Sequence, residues 1–429
     1  MKYTFSDSSA GNGITLCSIT AGGFKTAGIS VSFVLPLCEK ASLYALIPNV
    51  LTRSSAKYPD ISRIERELAL LYGAEVSADV SKSGENQIVK FEVSSIDDRF
   101  ALDGESIQRG CCELLFELIF KPKIIGKGFD TAVLESEKRQ LCERIDAEIA
   151  EKQIYARRRC EEIMFADESY GINKFGTKEA INAATAEAVY EAYREMLTEA
   201  PMFVCVSGSG SGEFVKELIA EYTAGINRAP QNNTTLFVES AEDATYFKET
   251  DDVKQGKLVM GFRLGMTSPN DDYAARRVMI TLFGGSPNSK LFTVVREKMS
   301  LCYYCSAGMV SQKGVMFVSS GIESYNEDVA KKAILDQLEA VKNGDFTDDD
   351  IDHAKKSLED SFRSITDSPE SLDSWFMSQV VNDSFKYPEE YVEQFNAVTR
   401  EQIIKAASQV TLDTVFMLAG NKKGGEADE

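Results

Sequence analysis

One histidine, His353, must serve every reaction in this 429-residue chain that needs an imidazole. Imidazole titrates near neutrality and binds metal ions when neutral. Zinc hydrolases, histidine acid–base enzymes and Ser/Cys–His nucleophile systems therefore all draw on it. In FTDDDIDHAKKSLEDSFRSI the apolar residues Ile351, Ala354, Leu358, Phe362 and Ile365 recur at helical spacing and define a buried stripe. His353 lies off that stripe, between Asp352 and Lys356, where a helical side chain faces water. A solvated surface histidine is the expectation.

The other chemistry-bearing patterns are weaker. Cys302 and Cys305 in CYYC suggest redox chemistry. On a strand, residues three apart point to opposite faces, and no second pair completes a zinc site, so two core thiols are expected. The loop SGSGSGEF after MFVCV resembles a phosphate cradle, but its glycines at 208, 210 and 212 are out of the G-x-G-x-x-G register. Glu213 would sit at the following helix N-terminus and compete with phosphate there. A glycine-rich turn with Ser211 as N-cap fits better. GGSPN near Ser286 lacks the last glycine of a nucleophile elbow. Asp348–Asp350 open a helix, where acidic residues favour the dipole, and read as a charged N-terminus.

Composition bounds the setting. The chain is 43% hydrophobic and 27% charged, ordinary for a globular protein, and long enough for two or more domains. No run of about 18 apolar residues is present, so no transmembrane helix is expected. The N-terminus MKYTFSDSSAGNG is polar, without an apolar signal core, and the expectation is a cytoplasmic location. Nine cysteines, mostly inside apolar segments such as ITLCSI and MFVCVSG, read as reduced and buried. A net charge of −20 argues against nucleic acid and anionic membranes as partners.

The elements that must position any site run in two similar halves. In the first, strand GISVSFVLPL precedes a helix around Ser42–Leu51, helix ISRIERELALLYG, strands EVSADV and QIVKFEVSS, and helix CCELLFELIF. A longer helix, 129–165, opens at Phe129. In the second, strand KLVMGFRLGM precedes helices DDYAARRVMITLFGG and KLFTVVREKMSLCYY, strands CSAGMV and GVMFVSSGI, helix EDVAKKAILDQLEAVKNG, and a long helix after Phe346. Arg66-Glu67 precedes Leu71 as Arg296-Glu297 precedes Leu301. A repeat of roughly 200 residues implies a duplicated α+β domain. We divide the chain into 1–225, a polar linker at 226–243, and 244–429; the tail GNKKGGEADE is expected to fray.

The run LFGGSPNSKLFTVVREKMSLCYYCSAG, Leu282–Gly308, resembles the C-terminal domain of the M16 metallopeptidases, the insulinase, pitrilysin and mitochondrial-processing-peptidase family. The segment Ser368–Val398 and, in the first half, KYPDISRIERELALLYGAEVSADV and YGINKFGTKEAINAATAEAVYEAYREML resemble it too. The resemblance spans nearly the whole chain. It implies two homologous M16-type (LuxS/MPP-like) α/β domains in a clamshell around a peptide-degrading chamber. Active members carry His-x-x-Glu-His on a first-domain helix plus a distant glutamate, because histidines four apart share one helix face. Placing that pattern by KYP at 57–59 puts it on Ala45-Leu46-Ile47-Pro48-Asn49, with Arg144 at the distant position. Both imidazoles are absent, Pro48 replaces the base, and an arginine repels zinc. No metal or other cofactor is therefore expected.

The family's second-domain arginine and tyrosine, which reach the substrate, match Arg296 and Tyr303. Arginine can hold a peptide carbonyl with its planar fork, and a tyrosine hydroxyl can stabilise an oxyanion. Arg66 occupies the repeat position of Arg296, so that arginine also has a structural reading; Gly73 stands where Tyr303 does, so the fold does not demand the tyrosine. Many bacterial M16 proteins are heterodimers with one zinc-bearing subunit and one supplying the Arg/Tyr pair. This chain resembles the second kind, similar to the zinc-less group associated with 5-aminopentanol modification of elongation factor P. The resemblance implies an inactive homologue that binds peptide or unfolded polypeptide and pairs with a zinc-bearing subunit or with itself. The alternative is a non-proteolytic peptide-binding or scaffold protein. An edge strand around Val76–Val80 could hold peptide by strand addition, as in this family.

Overall fold

The computed structural model describes residues 3–209, 212–382 and 384–421. The chain packs as two units, and neither is a continuous stretch. The first comprises Met1–Asp146, Ile172–Thr234 and Ile365–Ser384; the second comprises Ala147–Gly171, Thr235–Ser364 and Phe385–Glu429. The division at 226–243 follows the repeat in the sequence. The packing units depart from it by two segments, each of which lies with the unit built mainly from the other half.

The first unit holds a six-stranded sheet in the order Tyr3–Ser9, Ile14–Ala21, Met202–Gly208, Thr26–Pro36, Asn86–Ile96, Glu75–Ser83. The second holds five strands: Thr245–Asp251, Thr411–Gly420, Gly256–Arg263, Val315–Ile322, Cys302–Val310. Apart from the extra Tyr3–Ser9, the sheets share one topology. The opening strand of each half runs parallel to its closing strand (Ile14–Ala21 with Met202–Gly208, Thr245–Asp251 with Thr411–Gly420), and every other pairing is antiparallel. The repeat seen in the sequence is thus a repeat of fold. Thr245–Asp251 is mostly polar and exposed and gives no alternation, and in Tyr3–Ser9 the alternation stops after Tyr3 and Phe5, too short to mark a strand.

The central strand Thr26–Pro36 is apolar because both its faces are covered. Helix Pro369–Val381 lies on its sheet, with Leu372 and Phe376 packed among Cys17, Ile19, Ala21, Phe24 and Cys205. Buried Asp373 on that helix accepts from Ser30 at 2.8 Å and pairs with Lys90 at 2.6 Å. In the second unit, helix Lys152–Met164 plays the equivalent part. Ala156, Cys160 and Met164 pack on Val259, Phe317 and Phe416. Just beyond this helix, Glu168 pairs with buried Arg263 at 2.8 Å and with buried Lys313.

This arrangement corrects the single helix expected over 129–165. The chain is helical over Thr131–Ala150 and again over Lys152–Met164, and Glu151 between them leaves helical geometry at ψ 96°. No Gly or Pro marks the break. The apolar face after it packs on the sheet of the second unit, and that packing decides the direction of the chain.

Candidate functional site

The helix Ala41–Leu51 follows the central strand of the first unit and is buried along most of its surface. Ala45 is 1% exposed, Pro48 is buried and Asn49 is half-buried. Pro48 sits inside the helix and has no N–H to give the carbonyl of Tyr44. The helix is held from one side by Tyr44, whose hydroxyl donates to Glu195 at 2.7 Å; burial and that carboxylate push its phenol pKa up. A methyl group, a pyrrolidine ring and a neutral amide stand at these three positions, and none of them is an imidazole or a carboxylate.

Arg144 lies on helix Thr131–Ala150, exposed, paired with Asp79 at 2.9 Å and stacked over Phe175 at 4.6 Å. Seven residues earlier, two turns back on the same face, is Glu137. Glu137 is 3% exposed, and Arg53, just past the end of helix Ala41–Leu51, binds it at 2.8 and 3.4 Å. Glu137 is the buried acid that this helix presents toward the end of helix Ala41–Leu51, and the resemblance does not point to it. Its only signal was an acidic residue one helical face from Arg144. Its charge is matched by Arg53, so these residues do not fit a zinc ion. Among the described residues no three His, Cys, Asp or Glu side chains group as a metal site.

In the second unit, helix Tyr273–Ile280 runs on into a π-helical turn, Thr281–Gly285, and a second π-helical segment covers Leu291–Lys298. Gly284 is required by packing: a Cβ there would come within 2.6 Å of Leu291 Cδ1 and 2.7 Å of Ala307 Cβ. Arg296 lies in the last turn of the second segment, its guanidinium 4.2 Å from the Phe292 ring centroid. The four-residue spacing of Phe292 and Arg296 was readable in the sequence.

The helix expected through Tyr304 ends at Lys298, because Ser300 turns the chain at φ +51°. The strand Cys302–Val310 starts directly after. A β-bulge in its pairing with Val315–Ile322 leaves Tyr303 as the extra residue: Cys302 faces Ile322, Tyr304 faces Gly321 and Cys305 faces Ser320. Tyr303 stands 68% exposed on this edge strand. Neither Arg296 nor Tyr303 makes an ion pair or hydrogen bond with the described residues, so guanidinium and phenol are both open to a ligand.

The same bulge overturns the expectation for CYYC. Cys302 and Cys305 face partners two residues apart and therefore lie on one face, both buried. A hydrogen bond from Cys305 holds the Cys302 thiol down at about 7, helped by Ser320 and the Arg296 charge against the effect of burial. Giving that hydrogen bond pushes Cys305 far up.

His353 and the acidic run Asp348–Asp350 fall where their patterns suggested. His353 is exposed on helix Asp348–Ser364, whose first turn holds Asp348, Asp349 and Asp350, and Ile351, Ala354, Leu358 and Phe362 are buried. Ser211 lies outside the described residues; Gly212, at φ +63°, immediately precedes helix Glu213–Thr223. Residues 422–429 of the tail also lie outside them. No helix among the described residues is long and apolar enough to cross a membrane.

Comparison with known proteins decides the family. The chain is 32% identical over 429 residues, 98% of its length and 99% of the relative's, to a Bacillus subtilis protein named probable inactive metalloprotease YmfF. Residues 183–358 match the peptidase M16 inactive domain. This chain belongs to the M16 peptidase family, as an inactive homologue. The fold agrees. A conserved protein from Enterococcus faecalis V583 superposes with a TM-score of 0.90 at 25% identity, covering 98% of this chain and 100% of that one. The peptidase M16 inactive domain from Pseudomonas fluorescens superposes at 0.77 and 17% identity, with 100% of both chains covered.

Proposed function

We propose that this M16 homologue is the non-catalytic subunit of a heterodimeric zinc peptidase and supplies Arg296 and Tyr303 to a peptide held with a zinc-bearing partner. One observation carries the reading. Ala45 and Pro48 are buried and Arg144 is paired with Asp79, whereas Arg296 and Tyr303 make no ion pair or hydrogen bond among the described residues, with Tyr303 68% exposed. Core residues are kept for packing, but an exposed tyrosine on a bulge does little for stability. Arginine presents a planar fork of donors to a peptide carbonyl. The phenol can donate to the oxygen on which charge develops as that carbonyl is attacked. The metal and the base belong to the partner.

Substrate is then peptide or unfolded polypeptide, and the net charge of −20 favours cationic segments. The setting we infer is cytoplasmic. The test is a peptidase assay with zinc analysis on this chain alone and mixed with an M16 protein bearing intact His-x-x-Glu-His. Cleavage in the mixture only, with zinc on the partner only, is the expected result. A stable complex or a self-dimer that binds peptide and never cleaves it sinks this reading and leaves the scaffold role. Stoichiometric zinc on this chain alone overturns both.

A further inference from the structure

The bulge at Tyr303 builds a second site that the peptide-binding reading does not use. Cys302 and Cys305 sit opposite Ile322 and Ser320, two residues apart on the neighbouring strand, so the span between them is two strand steps, about 6.6 Å. A disulfide bridges α-carbons up to about 6.8 Å apart. Both thiols are free, and both are buried against the Ser320 side. They lie on the edge strand of the sheet, which no further strand covers among the described residues, and the residue between them at the bulge is the exposed Tyr303. Arg296 lies close enough for its charge to act on Cys302.

We propose that Cys302 and Cys305 form a reversible redox-modification site that closes to a disulfide on reaction with a low-molecular-weight disulfide. The Cys302 thiolate, favoured by its hydrogen bond from Cys305, attacks one sulfur of the small disulfide, forming a mixed disulfide and releasing one small thiolate. Cys305 then loses its proton to that thiolate and attacks the Cys302 sulfur, expelling the second small thiolate, which takes a proton from water. Two electrons pass from the protein to the small disulfide, one S–S bond is exchanged for another, and a dithiol reverses the sequence. Six other cysteines are poor first nucleophiles: burial pushes up Cys17, Cys111, Cys112, Cys142, Cys160 and Cys205. The bridge fixes the bulge and with it the pose of Tyr303; only this last consequence rests on the function proposed above.

The experiment is intact-mass analysis and peptide mapping of the full chain incubated with oxidised glutathione near neutral pH, before and after dithiothreitol. The expected wild-type product has lost two hydrogens, with the bridge mapped to Cys302–Cys305 and undone by the dithiol. Cys305→Ser retains one glutathione on Cys302, and Cys302→Ser gives neither bridge nor adduct at the pair. A stable glutathione adduct on wild-type Cys302, no change at the pair, or a bridge between other cysteines overturns the proposal. Should a variant fail to fold, the wild-type map decides by itself. The map reads sulfur chemistry alone, so its outcome is distinct from any outcome of the peptidase assay.

Discussion

Helix Ala41–Leu51 directly follows the central strand of the first unit, and the Leu291–Val310 region follows the first helix after the central strand of the second; the two differ sharply in how their side chains are engaged. In and around the first, side chains are packed or paired: Ala45 at 1% exposure, Pro48 buried, Glu137 held by Arg53 and Arg144 by Asp79. In the second, a π-helical segment, a left-handed serine and a bulge leave Arg296 and Tyr303 without an ion pair or hydrogen bond among the described residues. Irregular backbone of this kind lowers stability and survives where geometry matters more. The first region is core, and the second carries an exposed phenol on irregular backbone.

The largest test of that contrast is at the second region. Tyr303→Phe, in the mixture with a zinc-bearing M16 protein, is expected to lower the cleavage rate by about 10²–10³-fold, the usual cost of losing one oxyanion donor. Unfolding by urea should be unchanged, because the hydroxyl makes no hydrogen bond with the described residues. An unaltered rate would place the phenol outside the reaction.

The first region predicts the reverse sensitivity. Ala45→His must force an imidazole into a fully packed position and bury its nitrogens, at a cost of about 3 kcal/mol. A urea midpoint within error of the wild type would mean that the space for a histidine persists there.

Pro48→Ala is a smaller and opposite effect. An alanine restores an N–H for the Tyr44 carbonyl and gains about 3 kcal/mol of helix preference, offset by about 2 kcal/mol for the lost ring contacts. The net expectation is about 1 kcal/mol of added stability in the same urea titration. Destabilisation would show that the proline ring is needed by its neighbours.

The smallest effect is one of pH. Only the thiolate reacts with iodoacetamide, so alkylation of Cys302, followed by mass spectrometry at that residue, should rise with pH through a midpoint of about 7. Removing the hydrogen-bond donor with Cys305→Ala should move that midpoint upward. A midpoint in the ordinary cysteine range for the wild type would show that the two thiols do not meet across the bulge.

What could be read along the chain was whatever depends on local order. Helix Asp348–Ser364 announced itself through the spacing of Ile351, Ala354, Leu358 and Phe362, which also put His353 in water. The strand Thr26–Pro36 and the repeat of elements were legible for the same reason, since each half must bury the same faces. The absence of imidazoles at positions 45 and 49 is a matter of residue identity and needed no structure. Three features rest on contacts between residues far apart in sequence, which no local period encodes. Glu151 ends a helix without a breaker because the helix that follows packs on the sheet of the second unit. Glu137, rather than Arg144, is the buried charge because Arg53, 84 residues away, comes to meet it. The cysteines of CYYC share a face because the neighbouring strand pairs around Tyr303. The residue types set which chemistry was available, and the pairing of distant strands and helices decided which of those groups meet and which face solvent.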